Sequence, residues 1–557
     1  MTLPLLAAMV IGVLVLGYRF YGGYVARQFQ LDPKATTPAV RLQDNQDFVP
    51  TRPFYLFGQH FSAIAAAGPI AGPILAAQQF GWLPAILWIG LGVVFIGAVH
   101  DFSTLVASVR HDARSVAEVI RTHLGPRSGA VMLAFIWIAL LYVIIAFADV
   151  TASTFVRGDA ELRTMAFAFH PGGAVALGSV LYLGLSMVMG VVERFLKPPL
   201  WLTTLIFVPL TLVAVWVGTK FSTVLLFGNH AWVAAILVYC LVASLTPVWL
   251  LLQPRGYLGG FILYLSLAAG VVGVFFGGFS IQQPAIAIPA SSVGPMFPFL
   301  FVTIACGACS GFHGLVCSGT TSKQVARETH CRPVGYGAML LEAFVALVAL
   351  STLLIAAPGD IAGKAPGAIY GEGLGRFIAI VVGEEHLVFA QTFGAMAFST
   401  FVFDTLDVST RLGRYIVQEL LNWRNAWSAF GATAVTVAVP YVLISMSGPG
   451  AWATFWTLFG TSNQLLAALS LVGVMVWLKR SGRRYAFVLW PLLGVAAVTA
   501  TSLVWQIGVG LLGSAPTAVQ RINGSVALVL LVMAVGLLVS GIRAMGRSPT
   551  VLPTAVR

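Results

Sequence analysis

The amino-acid sequence predicts an all-α membrane protein with about 15 transmembrane helices. Of its 557 residues, 58% are hydrophobic and only 9% are charged, whereas soluble domains carry about 25% charged residues. Stretches such as 84–98, 131–146 and 526–539 hold no charge, and with their flanks they reach the ~20 residues that cross a bilayer. They lack the alternation typical of barrel strands, so we expect helices, which satisfy their own backbone groups in lipid.

The net charge of +12 does not indicate nucleic-acid binding, because the basic residues stand in short loops between apolar segments. If the N-terminus is outside, 25 of the 31 Lys and Arg residues fall on the cytoplasmic side, as the positive-inside rule requires. Arg255 is counted in one of these cytoplasmic loops, and Arg157 and Arg163 on the outer side. The predicted helices are 3–20, 56–80, 83–108, 128–154, 173–190, 200–218, 229–252, 258–276, 296–318, 333–356, 388–410, 429–445, 452–478, 486–510 and 522–543.

The first apolar segment, Met1–Leu16, lacks a basic start and a small-residue cleavage site, so we expect a retained helix and not a signal peptide. Five cysteines are an odd number in mostly intramembrane positions, which argues against a disulfide framework. Between helices, Ser115–His123 is predicted to form a short interfacial helix, and the long connector 357–387 has room for short helices.

The second predicted helix contains two Gly-Pro pairs, Gly68-Pro69 and Gly72-Pro73, at the depth of the membrane centre. Proline removes a backbone donor and glycine tolerates unusual dihedral angles, so the helix should break there. A broken helix exposes backbone groups that transporters use to bind substrates and ions. A simple proline kink without a ligand is the alternative.

The seventh predicted helix has Pro247 in its middle, within the sequence Ser244-Leu-Thr-Pro247. Two sets of five helices, each starting with a proline break and opposite in orientation by the charge count, indicate inverted repeats around a midplane site. This arrangement resembles the LeuT-type transporter architecture. The predicted organisation is a first helix and cytoplasmic connector (1–55), a first repeat (56–218), a second repeat (229–410) and four additional helices (429–543).

Four side chains, Cys306, Cys309, His313 and Cys317, are spaced so that they would share one stripe of the ninth helix. A metal or redox site is one interpretation, and small residues packed between helices is the other. His313 stands apart, because an ionisable residue inside a membrane is functional by default and histidine titrates near neutral pH.

Other polar residues at membrane depth are few. Asp407 and Arg411 are four residues apart and can pair, and Thr461–Gln464 is expected to supply hydrogen bonds between helices. The candidates for ion coupling or gating are His313, Asp149, Gln59, His60, His100, Asp101 and Glu342.

Seven motifs make the chain resemble the carbon starvation protein A (CstA) family over nearly its whole length. They are GQHFSAIAAAGPIAGP (58–73), GAVHDF (97–102), TPVWLLLQPR (246–255), CSGFHGLVCSGTTSKQ (309–324), VGYGAMLLEAF (334–344), TLDVSTRLGRY (405–415) and FGTSNQLLAA (459–468). The resemblance implies import of peptides or pyruvate across the bacterial inner membrane during carbon starvation.

Together these observations predict a cation-coupled symporter, driven by H⁺ or Na⁺, for small carboxylate nutrients. We expect neither enzyme activity nor a cofactor. The expected partners are a small-molecule substrate and the lipid bilayer, with a second copy of the chain as a further candidate, but no nucleic acid. The C-terminus is predicted to be cytoplasmic. The alternative is a membrane redox or metal-binding protein built on the cysteine and histidine stripe. The predicted substrate-binding residues are Ala67, Gly68, Pro69, Ile70, Ala71, Gly72, Ser244, Leu245, Thr246 and Ser310.

Overall fold

The protein is helical throughout the part that the structure, a computed structural model, describes. That part is residues 2–44, 47–156, 169–288, 294–423, 425, 427–448 and 450–546, so Arg157 and Arg163 lie outside it. Within it, the pairing of Thr51 with Val325 is an isolated bridge, and no β-strand is formed.

We number the helices of at least eight residues, or of several joined turns, in chain order. They are α1 (Leu3–Phe29), α2 (Pro53–Ile64), α3 (Gly68–Phe80), α4 (Trp82–Arg110), α5 (Val116–Leu124), α6 (Pro126–Phe155), α7 (Pro171–Phe195), α8 (Leu200–Lys220), α9 (Asn229–Leu245), α10 (Leu252–Phe276), α11 (Met296–Thr303), α12 (Gly311–Gly319), α13 (Glu328–Leu354), α14 (Pro366–Val382), α15 (Glu384–Leu420), α16 (Ser428–Ser447), α17 (Trp452–Arg480), α18 (Ala486–Leu512) and α19 (Ala518–Met545). Single turns form at Pro38–Arg41 and Pro358–Ile361.

Twelve of the described helices are long and apolar enough to cross a membrane, and the bent pair α2 and α3 raises the number to 13. The protein is therefore a multi-pass membrane protein. The predicted number of 15 differs for two reasons. The predicted helix 229–252 is the shorter α9, which ends at Leu245, and the predicted helix 296–318 is two short helices with an irregular segment between them. A short helix does form where one was predicted at 115–123: it is α5, and the Ser115 hydroxyl caps its first turn.

The break predicted in the second membrane segment is confirmed. Helices α2 and α3 meet at an angle of 45° across Ala65–Ala67. Helix α3 starts at Gly68-Pro69, where the fixed φ of proline suits the first turn of a helix and its missing N–H costs nothing. Pro73 lies inside α3, one turn further on, and the helix continues past it.

The second break lies at 304–310, between α11 and α12, and not at Pro247. Pro247 stands in the turn after α9, beyond Thr246, whose backbone is already extended. The prediction of a mid-helix break at Pro247 is therefore wrong: the proline follows a helix that has ended. The segment 304–310 contains no proline, so the signal that identified the first break is missing from the second.

The chain forms two compact units, each assembled from separate stretches. The first unit comprises Met1–Ala7, Leu140–Pro284 and Val348–Trp456, and the second comprises Ala8–Ala139, Ala285–Leu347 and Thr457–Arg557. Both broken segments belong to the second unit.

Candidate functional site

The two broken segments of the second unit pack directly against each other. A Cβ atom placed on Gly68 would lie 2.5 Å from Cys306 Sγ, and one on Gly72 would lie 2.7 Å from the carbonyl oxygen of Thr303. No side chain fits at either glycine, so the amino end of α3 approaches the interrupted backbone between α11 and α12 at contact distance. All six predicted substrate-binding residues from Ala67 to Gly72 are buried here.

Helix α4 approaches the same break. A Cβ atom on Gly97 would collide with the carbonyl oxygen of Ala308, so glycine is required for the contact. One turn after Gly97, His100 and Asp101 reach the interior with no exposed surface. The close approach therefore places two titratable side chains beside the break.

Asp101 lies between two histidines. Its Oδ1 is 2.7 Å from His100 Nδ1, and its Oδ2 is 2.9 Å from His313 Nδ1 on α12. An ionised carboxylate only accepts hydrogen bonds, so both histidines donate through Nδ1 and keep Nε2 for another partner. The structure thus joins three residues that the sequence predicted separately.

Glu342 on α13 completes the group. Its Oε2 lies 3.4 Å from His313 Nε2. The Glu342 side chain is fully buried, and neither of its oxygens has a hydrogen-bond partner among the described residues. Burying an unpaired carboxylate costs several kcal/mol, far more than burying the neutral acid. His313 Nε2, at 3.4 Å, is the group placed to share a proton with it. We call His100, Asp101, His313 and Glu342 the buried relay.

His60 on α2 lies at the edge of the buried relay. Its Nδ1 is 2.8 Å from Thr321 Oγ1, and its Nε2 is 3.9 Å from Cys317 Sγ. The Cys317 thiol in turn contacts the carbonyl oxygen of Asp101 at 3.5 Å. Gln59, predicted to act with His60, is exposed, because adjacent residues on a helix point in different directions.

The predicted stripe of Cys306, Cys309, His313 and Cys317 does not form. Cys306 and Cys309 lie in the irregular segment 304–310, whereas His313 and Cys317 lie on α12, so the helical spacing that defined the stripe does not apply. Among the described residues, no three or more His, Cys, Asp or Glu side chains are placed to hold a metal ion. Ser310, also predicted as a site residue, lies in this segment and bonds to Asn463.

The remaining predicted site residues belong to the first unit. Asp149 is buried and its Oδ2 accepts a hydrogen bond from the backbone N–H of Trp452 at 2.8 Å, which caps the start of α17. The end of α9 presents carbonyl oxygens: Arg414 donates to Ser244, and Arg411 donates to Thr246. Leu245 is exposed. A helix C-terminus is the negative end of the dipole, so this geometry does not favour binding of a carboxylate at the predicted residues Ser244–Thr246.

The first unit also contains a buried ionic cluster that was not predicted from the sequence. Arg255 has no exposed surface, and it donates to Asp404 at 2.5 Å and lies 2.8 Å from Asp407. Tyr239 also donates to Asp407. The predicted pairing of Asp407 with Arg411 is therefore replaced by one with Arg255, which lies in α10 and not in a loop. A Pro-Arg step beside an apolar segment looks like a helix border. The two aspartates that pair with the buried guanidinium lie about 150 positions away in the sequence.

Secondary transporters combine interrupted helices with buried ionisable groups, and the second unit has both. The protein is of that class. The family model described as Carbon starvation protein CstA matches residues 2–373 and 359–502, and the chain belongs to that family.

Curated relatives carry transporter names. The peptide transporter CstA of Helicobacter pylori is 33% identical over 553 residues, covering 84% of this chain and 76% of its own. The pyruvate/proton symporter BtsT of Escherichia coli is 31% identical, with 91% and 81% covered. The peptide transporter CstA of Bacillus subtilis is 30% identical, with 95% of both chains covered.

Among solved structures, a manganese transporter from Eremococcus coleocola aligns at 14% identity with a TM-score of 0.45, covering 90% of this chain and 99% of that one. That likeness is too slight to inform the interpretation.

Proposed function

We propose that this protein is a proton-coupled symporter that imports small carboxylate nutrients, pyruvate or short peptides, across the bacterial inner membrane. The observation that carries the proposal is the buried relay beside two broken helices. The names of the relatives support both candidate substrates, since one is called a pyruvate/proton symporter and others are called peptide transporters.

The hydrogen-bond pattern of the relay favours a proton as the coupling ion. With His313 Nδ1 donating to Asp101, the neutral ring presents Nε2 as an acceptor toward Glu342. A proton can then reside on Glu342 as the neutral acid, or on His313 as an imidazolium paired with the carboxylate. In the first form the neutral Glu342 donates a hydrogen bond to His313, and in the second its carboxylate pairs with the imidazolium. We assign the two forms to different transport states. Asp101 stabilises the charged histidine in the second form.

For the substrate we propose the amino end of α3. Helix N-termini carry partial positive charge and present N–H groups, which suit a carboxylate. The buried run from Ala67 to Gly72 lies against the break between α11 and α12. Binding there would place the carboxylate of pyruvate or of a peptide within the unit that contains the buried relay.

We propose an inverted-repeat core of the LeuT type, with one revision. Two broken segments support it, but the second is α11 and α12, so the second repeat would begin near residue 296 and not at 229. The loop charges give α2–α3 and α11–α12 opposite directions through the membrane. The same charges support an N-terminus outside and a C-terminus in the cytoplasm.

The test is uptake into proteoliposomes that contain the purified protein, with a proton gradient and a sodium gradient imposed in separate experiments. We expect pyruvate or a dipeptide to accumulate with the proton gradient and not with sodium alone. Liposomes without protein and a protonophore are the controls. Accumulation that follows sodium alone would refute proton coupling and leave transport intact, whereas no accumulation of pyruvate or any dipeptide under either gradient would overturn the proposed substrate class.

A further inference from the structure

One helix, α17, bonds to both sides of the break between α11 and α12. Before the break, Gln464 Nε2 donates to the carbonyl oxygen of Phe301 at 2.8 Å. After the break, Asn463 Oδ1 accepts from the backbone N–H of Phe312 at 2.9 Å. The two amide side chains are consecutive, and their exposed fractions are 2% for Asn463 and 1% for Gln464.

Asn463 also reaches into the break itself. Its Nδ2 donates to Ser310 Oγ at 3.1 Å and to Cys306 Sγ at 3.3 Å. The backbone N–H of Phe312 needs an acceptor, which fixes the orientation of the Asn463 amide, with oxygen toward α12 and nitrogen toward Cys306 and Ser310. One side chain therefore bonds to two residues of the break and to the first turn of α12.

Glycines bring the backbones together at both ends of this contact. A Cβ atom on Gly460 of α17 would collide with the carbonyl oxygen of Val302, and one on Gly311 of α12 would collide with that of Asn463. Neither glycine has room for a methyl group, so α17 lies against both half-helices at backbone contact distance.

We propose that Asn463 and Gln464 are positioning residues that hold the break at 304–310 in its binding-competent shape; the proposal rests on the transport function above. A broken helix leaves carbonyl groups free on one side and N–H groups free on the other. Gln464 satisfies one on the first side and Asn463 one on the second. Because both come from a single buried helix, they fix the distance across the break. The role of α17 is thus to shape the binding segment.

The loss of Asn463 should therefore weaken substrate affinity more than it slows turnover. We expect Asn463→Leu, which keeps the volume and removes all these bonds, to raise KM about tenfold or more with the maximal rate within about twofold. Asn463→Asp keeps the acceptor for the Phe312 N–H and should recover part of the affinity. Thr461→Val is the matched control, since Thr461 bonds to Ser502 on α18 and not to the break.

Cys306 gives a readout that does not require transport. It is half-buried, whereas the four other cysteines are buried, so N-ethylmaleimide should label it first. We expect Asn463→Leu and Gln464→Leu each to change the labelling rate of Cys306 about fivefold or more, because each variant loses the hydrogen bonds that its side chain makes at the break. Thr461→Val should leave the labelling rate unchanged. Melting temperatures establish that each variant is folded.

The outcomes separate the two proposals. If Asn463→Leu and Gln464→Leu fold and leave both KM and Cys306 labelling at wild-type values, the positioning role is wrong. If the wild type transports none of the substrates while labelling of Cys306 responds to the variants, the proposed substrates are wrong and the positioning role stands. An equal response in Thr461→Val would show a general packing effect and would also overturn the positioning role.

Discussion

His313 Nε2 lies 3.4 Å from Glu342 Oε2, with both side chains buried in the second unit. No hydrogen-bond partner for Glu342 occurs elsewhere in the described part of the chain. We propose that the pair shares a proton, and we expect changes to either residue to affect coupling before they affect folding.

We expect Glu342→Gln to abolish proton-driven accumulation and to retain substrate exchange. Glutamine is neutral and of equal size, so it mimics the protonated acid permanently. Uptake under a proton gradient should fall at least about tenfold, while counterflow of labelled substrate at equal pH remains. Glu118→Gln, at an exposed surface pair, is the control. Normal accumulation by Glu342→Gln would exclude Glu342 as the proton carrier.

His313→Gln should remove the pH dependence of uptake. The glutamine amide can still donate to Asp101, but it does not titrate near neutral pH. The measurement is the initial uptake rate over about three pH units, from about pH 5.5 to about pH 8.5. If the profile of His313→Gln matches the wild type, His313 is structural.

Asp149→Asn should transport normally, although Asp149 is among the residues predicted from the sequence to serve ion coupling or gating. Its carboxylate caps α17 through the Trp452 N–H, and an asparagine oxygen accepts the same bond. Asp149→Ala should lose about 1 kcal/mol of stability, as other cap removals do, measured as a lower melting temperature. Loss of proton coupling in Asp149→Asn would show instead that Asp149 takes part in ion coupling.

Gly68→Ala should inactivate the transporter, because the added methyl group meets Cys306 Sγ and Cβ at 2.5 and 2.6 Å. The double variant Gly68→Ala with Cys306→Gly removes the colliding atoms and should recover uptake. Gly90→Ala, where a Cβ meets nothing within 4 Å, is the matched control. A double variant as inactive as the single one would show that the collision is not the cause.

Two buried histidines at the end of α4 and in α5 should make the fold sensitive to acid. His111 Nδ1 donates to the carbonyl oxygen of Ala107, so its Nε2 accepts from His123 Nε2 at 2.7 Å. Burial lowers the pKa of His111, and burial together with His111 and Arg480 lowers the pKa of His123 to about 3. The surrounding charges are Arg110, Asp112, Arg114 and Arg480.

The unfolded chain therefore binds more protons than the folded one as the pH falls below the ordinary histidine pKa of about 6.5. The contribution of the two histidines to the free energy of unfolding is complete above that pH. It decreases toward pH 3, by up to about 1.4 kcal/mol per pH unit for each histidine. We expect the melting temperature to fall between pH 7 and 5 and to fall less steeply in His123→Asn. His386→Asn, at an exposed position, should not change the slope. Equal slopes in all three proteins would contradict the prediction.

The sequence by itself determined the membrane class, nearly all the helices and the first broken segment. These features depend on local properties: apolar length matched to the bilayer, and the missing N–H of proline at Gly68-Pro69 and Gly72-Pro73. The candidate titratable residues were also visible, because an ionisable side chain in an apolar segment stands out without reference to any partner.

Only the tertiary structure decided which of those residues lie in contact. His100 and Asp101 are more than 200 positions from His313 along the chain, and no spacing rule joins them. The second break has no proline, and the bonds that Asn463 and Gln464 of α17 make to its two sides come from residues about 150 positions away in the sequence. Arg255 is likewise buried because Asp404 and Asp407 pair with it. Side chains distant in the sequence stabilise this backbone break and this buried charge. The local sequence therefore does not predict either feature, and the packing of the helices determines both.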